Sequence, residues 1–277
     1  MEWLIEGLLR TGSYSLIGGS TGVGKTTLML QFLFNWTNNQ PLLDYPVAKI
    51  VPFVFISLDK NPDNMNRSFL KSGLDSNTFE WHSLFKQPEV VLDDIISLTP
   101  DDCRLVVIET GTFLAENPND KKSVRRFLSP FTGWLADTNR SCWMTGHERK
   151  GLNPLETDPR HRFEGSNYWT GGDCCSLISI WSESPIHQPN TRKISVQPRD
   201  GAIRIMDAEF NDRGQLTFNL IPASYRMFFE LLPRSFSTRI AYELTGVDQR
   251  TVRRWLGDLE NCQAISRTGH GTWIKES

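Results

Sequence analysis

The chain has 277 residues, 39% of them hydrophobic, and a formal net charge of −2. This length suits one large domain with a small companion, and the near-neutral charge means that any nucleic-acid-binding surface is local rather than global. No run of 18 apolar residues occurs, which argues against a membrane span, and the N-terminus lacks the charged, apolar, small-residue order of a secretory signal.

The first predicted element is the strand Tyr14-Ser15-Leu16-Ile17. It leads into Gly19-Ser20-Thr21-Gly22-Val23-Gly24-Lys25-Thr26, a match to G-x-x-x-x-G-K-[ST], and a helical run from Thr27 to Trp36 follows. In that context glycines let backbone N–H groups turn inward around a phosphate, and the helix N-terminus adds partial positive charge. Lys25 reaches the β- and γ-phosphates and the Thr26 hydroxyl ligates Mg²⁺. A glycine turn with a solvated lysine would need neither the strand before it nor the helix after it. The motif predicts a nucleoside triphosphate site over Gly19 to Thr27 and does not separate ATP from GTP.

Beyond the loop, Phe53 to Leu58 (F-V-F-I-S-L) and Leu105 to Ile108 (L-V-V-I) are continuous apolar runs, as strands buried on both faces should be. Helices are predicted over Asn64 to Ser72, Val90 to Leu98 and Ser123 to Asp137, and a strand over Ser141 to Thr145. Strands alternating with helices predict an α/β fold, a mostly parallel sheet flanked by helices. Four shorter strands follow at Leu177–Trp181, Arg192–Val196, Ala202–Met206 and Leu216–Leu220, and turns between them allow antiparallel hairpins. The five cysteines (103, 142, 174, 175 and 262) form no C-x-x-C pair. Three sit in or beside strands as small hydrophobes, so a reducing cytoplasm is the expected home.

The predicted domain boundary divides 1–222 from 223–277. The second part holds a helix at Tyr225–Leu232, another at Thr238–Thr245, and a third from an Asp248 cap to about Glu260. A hairpin over Ala264–Ile274 ends it. In the third helix Val252, Trp255, Leu256 and Leu259 form one stripe, while Arg250, Arg253 and Arg254 lie off it. Helix, turn, basic helix and hairpin is the order of a winged helix-turn-helix.

Strand ends carry the remaining chemistry. Glu109 follows L-V-V-I and is the candidate second metal carboxylate, although Asp is commoner there and the longer Glu would act through water or a displaced metal. Asp59 ends the strand Phe53–Leu58, as a water-orienting base or as a cap for the helix after Pro62. His147 ends the next strand, as a γ-phosphate sensor or as a loop histidine.

Several stretches in order resemble the RecA-type ATPases, most of all the plasmid RepA hexameric helicase branch, with relatives among DnaB-type motors and KaiC-like proteins. S-L-I-G-G-S-T-G-V-G-K-T-T resembles the phosphate loop, and F-V-F-I-S-L-D-K-N-P the strand that ends in a catalytic Glu, with Asp59 in its place. L-V-V-I-E-T resembles the Walker B strand, W-M-T-G-H-E-R-K-G the sensor loop and F-E-G-S the turn opening the next helix. I-S-V-Q-P-R-D-G resembles a K-x-R-x-G segment that reaches into the neighbouring subunit's site; Arg199 matches its arginine, and Gln197 stands where its lysine would be. The resemblance covers about residues 1–220. It implies a RecA-like ATPase using ATP and Mg²⁺, with Lys25, Asp59, Glu109, His147 and Arg199 catalytic, assembled as a homo-oligomer, as a ring or filament and most simply a hexamer.

In such rings the DNA-facing loops follow the sensor strand. Here that span is Glu148 to Trp169, with Arg149, Lys150, Arg160, His161, Arg162, Tyr168 and Trp169. Basic groups beside aromatics suit single-stranded DNA, although a solvated charged loop has the same composition. Residues 223–277 carry eight Lys/Arg against six Asp/Glu. Duplex DNA on Arg250, Arg253 and Arg254 would account for that focus, as would protein docking. Three functions compete: a replicative DNA helicase of a plasmid, phage or mobile element, an ATP-gated DNA-binding regulator or loader without translocation, and a small-molecule kinase, which leaves the tail without a task.

Overall fold

A computed structural model describes residues 2–85, 90–148, 167–171, 174–182, 188–199, 203–219, 228–245, 248–261 and 264–276. The organising element is a nine-stranded sheet. In chain order its strands are β3 (Tyr14–Gly19), β4 (Phe53–Ser57), β5 (Glu80–Ser83), β6 (Leu105–Glu109), β7 (Ser141–His147), β8 (Cys174–Trp181), β9 (Thr191–Pro198), β10 (Arg204–Phe210) and β11 (Leu216–Asn219). The spatial order is β11-β10-β9-β8-β3-β7-β6-β4-β5. From β5 to β8 all neighbours run parallel, and β9, β10 and β11 extend the sheet as an antiparallel meander. The glycine-rich strand β3 sits inside the sheet, between β7 and β8.

Alternation along the central strands builds two cores. Ile17, Phe53, Phe55, Leu105 and Val107 face one side, where α1 (Lys25–Thr37) and α2 (Pro62–Ser72) cover them. Leu16, Val54, Ile56, Val106 and Ile108 face the other, under α3 (Leu92–Ser97) and α4 (Lys121–Asp137). Both faces of the strands are therefore dry, which is why their sequences read as unbroken apolar runs. Helix α1 carries Leu28, Met29, Phe32, Leu33 and Trp36 into the first core, where Trp143 of β7 packs against Phe32 and Trp36 with centroids 5.8 and 5.9 Å away. Among the described residues, no helix is long and apolar enough to cross a membrane.

Several elements depart from the sequence reading. A hairpin of β1 (Trp3–Ile5) and β2 (Leu9–Arg10) precedes the sheet, and β5 adds its edge. Strand β10 runs four residues past the expected Met206, because its half-buried alternation continues through Asp207-Ala208-Glu209-Phe210. Strand β8 begins at Cys174, three residues before Leu177. The largest correction concerns Trp169. It does not stand in a DNA-facing loop but is fully buried beside Phe127, at 6.1 Å between centroids, and its carbonyl accepts from the Tyr14 hydroxyl at 3.0 Å. The turn F-E-G-S and residues 160–162 lie outside the described residues, as does the side chain of Tyr168.

Toward the C-terminus a three-stranded sheet, β12 (Ser235–Ser237), β13 (Ile265–Gly269) and β14 (Thr272–Lys275) in the order β12-β14-β13, accompanies α5 (Thr238–Thr245) and α6 (Gln249–Asn261). It has its own core, in which Val252, Leu256 and Leu259 of α6 meet Phe228, Phe236, Ile265 and Trp273. Trp255, expected in the stripe, is only half-buried and packs on Phe228 at 4.9 Å. Asp248 accepts from the Thr251 amide at 3.0 Å, the expected cap. Of the predicted helix Tyr225–Leu232, residues 228–231 are helical, and 220–227 lie outside the described residues.

Trp143→Ala should cost about 3–5 kcal/mol of folding stability, the usual penalty for removing a fully buried aromatic; urea unfolding followed by circular dichroism measures it.

Candidate nucleotide-binding site

Three strand ends converge on the start of α1. The loop between Gly19 of β3 and Lys25 of α1 closes through Gly24, whose φ of +112° is left-handed backbone. A Cβ there would also meet Phe210 Cζ at 2.7 Å. Phe210 in turn lies under the Arg192 guanidinium, 4.8 Å from its ring, and Arg192 Nε donates to the Val23 carbonyl at 2.7 Å. The antiparallel meander thus braces the loop from outside. Ser20, Thr21 and Gly22 remain exposed, whereas Val23 is buried as an anchor. The Lys25 ammonium donates to the carbonyls of Gly19 and Ser20, both at 2.9 Å. Burial lowers its pKa below the ordinary lysine value; Asp59, Glu148 and Glu109 pull it back up, and Lys60 pushes it further down.

Glu109 is the centre of the site. It ends β6 and is only 2% exposed. Its Oε1 accepts from the Thr26 hydroxyl and from Lys60 Nζ, the latter at 2.6 Å, and its Oε2 accepts from Ser57 Oγ at 2.7 Å. Thr110 follows in left-handed backbone (φ 63°, ψ 42°), uncommon for a β-branched residue. Its amide is held by Thr145 Oγ1 of β7 at 2.7 Å. Strain of this kind, of order 1–3 kcal/mol, gathers where geometry is over-determined.

A hydroxyl touching a carboxylate is an all-oxygen donor pair of the kind that suits Mg²⁺, which keeps most of its waters and takes one or two protein ligands beside substrate phosphates. The residues present therefore fit the metal. The longer Glu109, expected to act through water or a displaced metal, meets the Thr26 side chain directly.

Asp59 is exposed just past β4, near enough to be the strongest charge acting to raise the Lys25 pKa. The alternative role as a helix cap is excluded, because Asn61 caps α2 by accepting from the Asn64 amide at 2.9 Å. His147 is half-buried at the end of β7, in register with Gly19. Thr27 is half-buried in the first turn of α1. Arg199 is elsewhere. Gly18 aligns with Ser179, and Ser179 with Ser195. Four further residues along β9, at about 3.4 Å each, carry Arg199 roughly 14 Å toward the opposite edge of the sheet. It cannot reach the phosphate loop of its own chain. Arg149, Lys150, Arg160 and Arg162 lie outside the described residues, and Arg250, Arg253 and Arg254 are exposed on α6.

The sequence reading missed four participants: Lys60, Ser57, Glu148 and Arg192. Ser57 was detectable as the one polar residue in an apolar strand. Lys60 stood beside Asp59 with nothing to say which way it would turn. Glu148 is buried, with its backbone N–H donating to the Gly19 carbonyl at 3.3 Å. That contact, like Arg192 on Val23, depends on strand order.

The fold and this site define a P-loop ATPase domain with RecA-like α/β architecture. The family model of the AAA domain (AAA_25) matches residues 1–153, more than half of the chain, and the chain belongs to that family. No curated protein sequence matches it.

Ser57→Ala removes one of the donors to a buried carboxylate. It should cost about 1.5–3 kcal/mol, the range for a hydrogen bond to a charged group, read as a lower urea midpoint at an unchanged slope.

Proposed function

We propose that the protein is an ATP- and Mg²⁺-dependent oligomeric DNA motor, a replicative helicase of the RepA-like type serving a plasmid, phage or mobile element. The single observation that carries the reading is the contact of Thr26 with Glu109 at the mouth of the phosphate loop, with Lys25 alongside. Lys25 would hold the β- and γ-phosphates, Thr26 and Glu109 the metal, and Asp59 the attacking water, with His147 beside the terminal phosphate. The metal, when bound, neutralises charge on the transferring phosphoryl group.

The position of Arg199 supports assembly. A guanidinium stabilises charge developing on the γ-phosphoryl, yet this one lies on the far side of its own sheet. Its use is in the site of an adjacent copy, which makes turnover depend on a ring or filament. Helices α5 and α6 with the β13–β14 hairpin have the order of a winged helix-turn-helix, and the exposed arginines of α6 suit duplex phosphates or base edges. Single-stranded DNA would pass the stretch of chain bearing Arg149, Lys150, Arg160 and Arg162.

A second reading, an ATP-gated DNA-binding regulator, is favoured by one observation: Glu109 is already engaged by Ser57, Thr26 and Lys60, donors with which a metal must compete, and that competition favours slow turnover. ATPase assays with and without single-stranded DNA, paired with mass measurement in ATP, separate the two. DNA-stimulated turnover by an assembly supports the motor, and assembly without turnover supports the regulator.

Arg199→Ala should leave nucleotide affinity within about twofold and lower kcat by about 10³-fold or more, the scale for a trans arginine; steady-state ATPase and nucleotide titration measure the pair. Replacing Arg250, Arg253 and Arg254 together by Ala should weaken duplex binding and reduce the slope of log K against log salt by about three, one per lost phosphate contact, as read by fluorescence anisotropy across a salt series.

A further inference from the structure

Lys60 has no part in the proposed chemistry, yet its ammonium sits on Glu109 at the centre of the site. The Lys60 ammonium lies 2.6 Å from Glu109 Oε1, the same oxygen that accepts from the Thr26 hydroxyl. Ser57 holds the other oxygen. The carboxylate thus has three donors and is buried, while Lys60 remains 30% exposed along its side chain. Its backbone is pinned on both sides: the Lys60 amide donates to Ser57 Oγ at 3.3 Å, and its carbonyl accepts from Ser83 Oγ of β5 at 2.7 Å. A fixed backbone and a flexible four-carbon stem on a part-exposed side chain describe a cation that can leave without the fold moving.

We propose that Lys60 is the resident counter-cation of the Glu109–Thr26 pair and withholds that pair from divalent metal while the phosphate loop is empty. The inference rests on the reading of Thr26 and Glu109 as the metal-holding pair. An ammonium and a dication cannot share one carboxylate oxygen without strong repulsion, and Lys25 already adds a second positive charge nearby, since Lys60 acts on its pKa. For Glu109 to serve a dication, Lys60 must leave Oε1. Among the described residues, the site offers the ammonium no alternative carboxylate as dry as Glu109. A triphosphate supplies several negative oxygens, so the same event that brings the metal gives Lys60 a reason to depart. Lys60 is on this account a positioning residue that makes metal uptake contingent on nucleotide.

The test is Mn²⁺ binding to the nucleotide-free full chain, followed by the electron paramagnetic resonance signal of free Mn²⁺. Lys60→Met should bind Mn²⁺ about tenfold more tightly than the wild type, the scale set by losing one charge-assisted hydrogen bond from the competitor. Lys60→Arg, which keeps a cation, should behave as the wild type, and adding Glu109→Gln to Lys60→Met should abolish the gain. Lys60→Gln is the second neutral variant should Lys60→Met not fold. Equal Mn²⁺ affinity in the wild type and the neutral variant overturns the proposal, as does a gain that survives Glu109→Gln. Failure of the wild type to take up ATP would instead overturn the function proposed above and leaves the Mn²⁺ comparison readable.

Discussion

A carboxylate with 2% of its surface exposed must have its charge answered from within the protein, and the core of the site is the answer given to Glu109. Ser57 comes from the neighbouring strand β4 because β4 and β6 pair with Ser57 opposite Glu109. Thr26 comes from the first turn of α1, fixed by the loop that leaves β3. Lys60 comes from the chain just past β4. Three donors on two oxygens fix the distance between the phosphate loop and the end of β6, so the parallel order of β4, β6, β7 and β3 is tied to one side chain. Removing Glu109 would strand a lysine, a threonine and a serine; moving it would pull two strand ends apart.

The sheet also explains why Arg199 and the phosphate loop of one chain lie far apart. All the strand ends that face the phosphate loop lie on the same edge, as expected at the carboxyl ends of parallel strands. The antiparallel return strand β9 starts on that edge and finishes on the other. Its first residues, through Arg192, brace Val23 from outside, and its last residue is followed by Arg199 on the far edge. A single strand thus runs from the phosphate loop to the opposite end of the sheet.

What could be read in one dimension follows from burial. Phe53–Leu58 and Leu105–Ile108 were legible because strands covered on both faces have no polar side to disguise them, and the phosphate loop was legible because its backbone demands glycine at Gly24. Edge elements were not: β5 is Glu-Trp-His-Ser, in which Trp81 is the one apolar residue, and is a strand only because β4 offers it partners. The hairpin β1–β2 is two to three residues per strand, too short for any period to register. Trp169 misled because an aromatic near arginines looks like a stacking surface, whereas its fate was decided by the Tyr14 hydroxyl and Phe127, contacts across 155 and 42 positions of chain. Lys60 was invisible for the same reason: only the β4–β6 register brings its ammonium to Glu109.

Every role given to these side chains depends on the cradle taking a nucleotide. Calorimetric titration of the full chain with Mg·ATP, beside Lys25→Met as the loop-disabled partner, tests it most directly. Uptake of one nucleotide per chain by the wild type, with none by Lys25→Met at the same concentrations, is the predicted result. Absence of binding heat in the wild type at saturating Mg·ATP, or equal uptake by the two proteins, would contradict it.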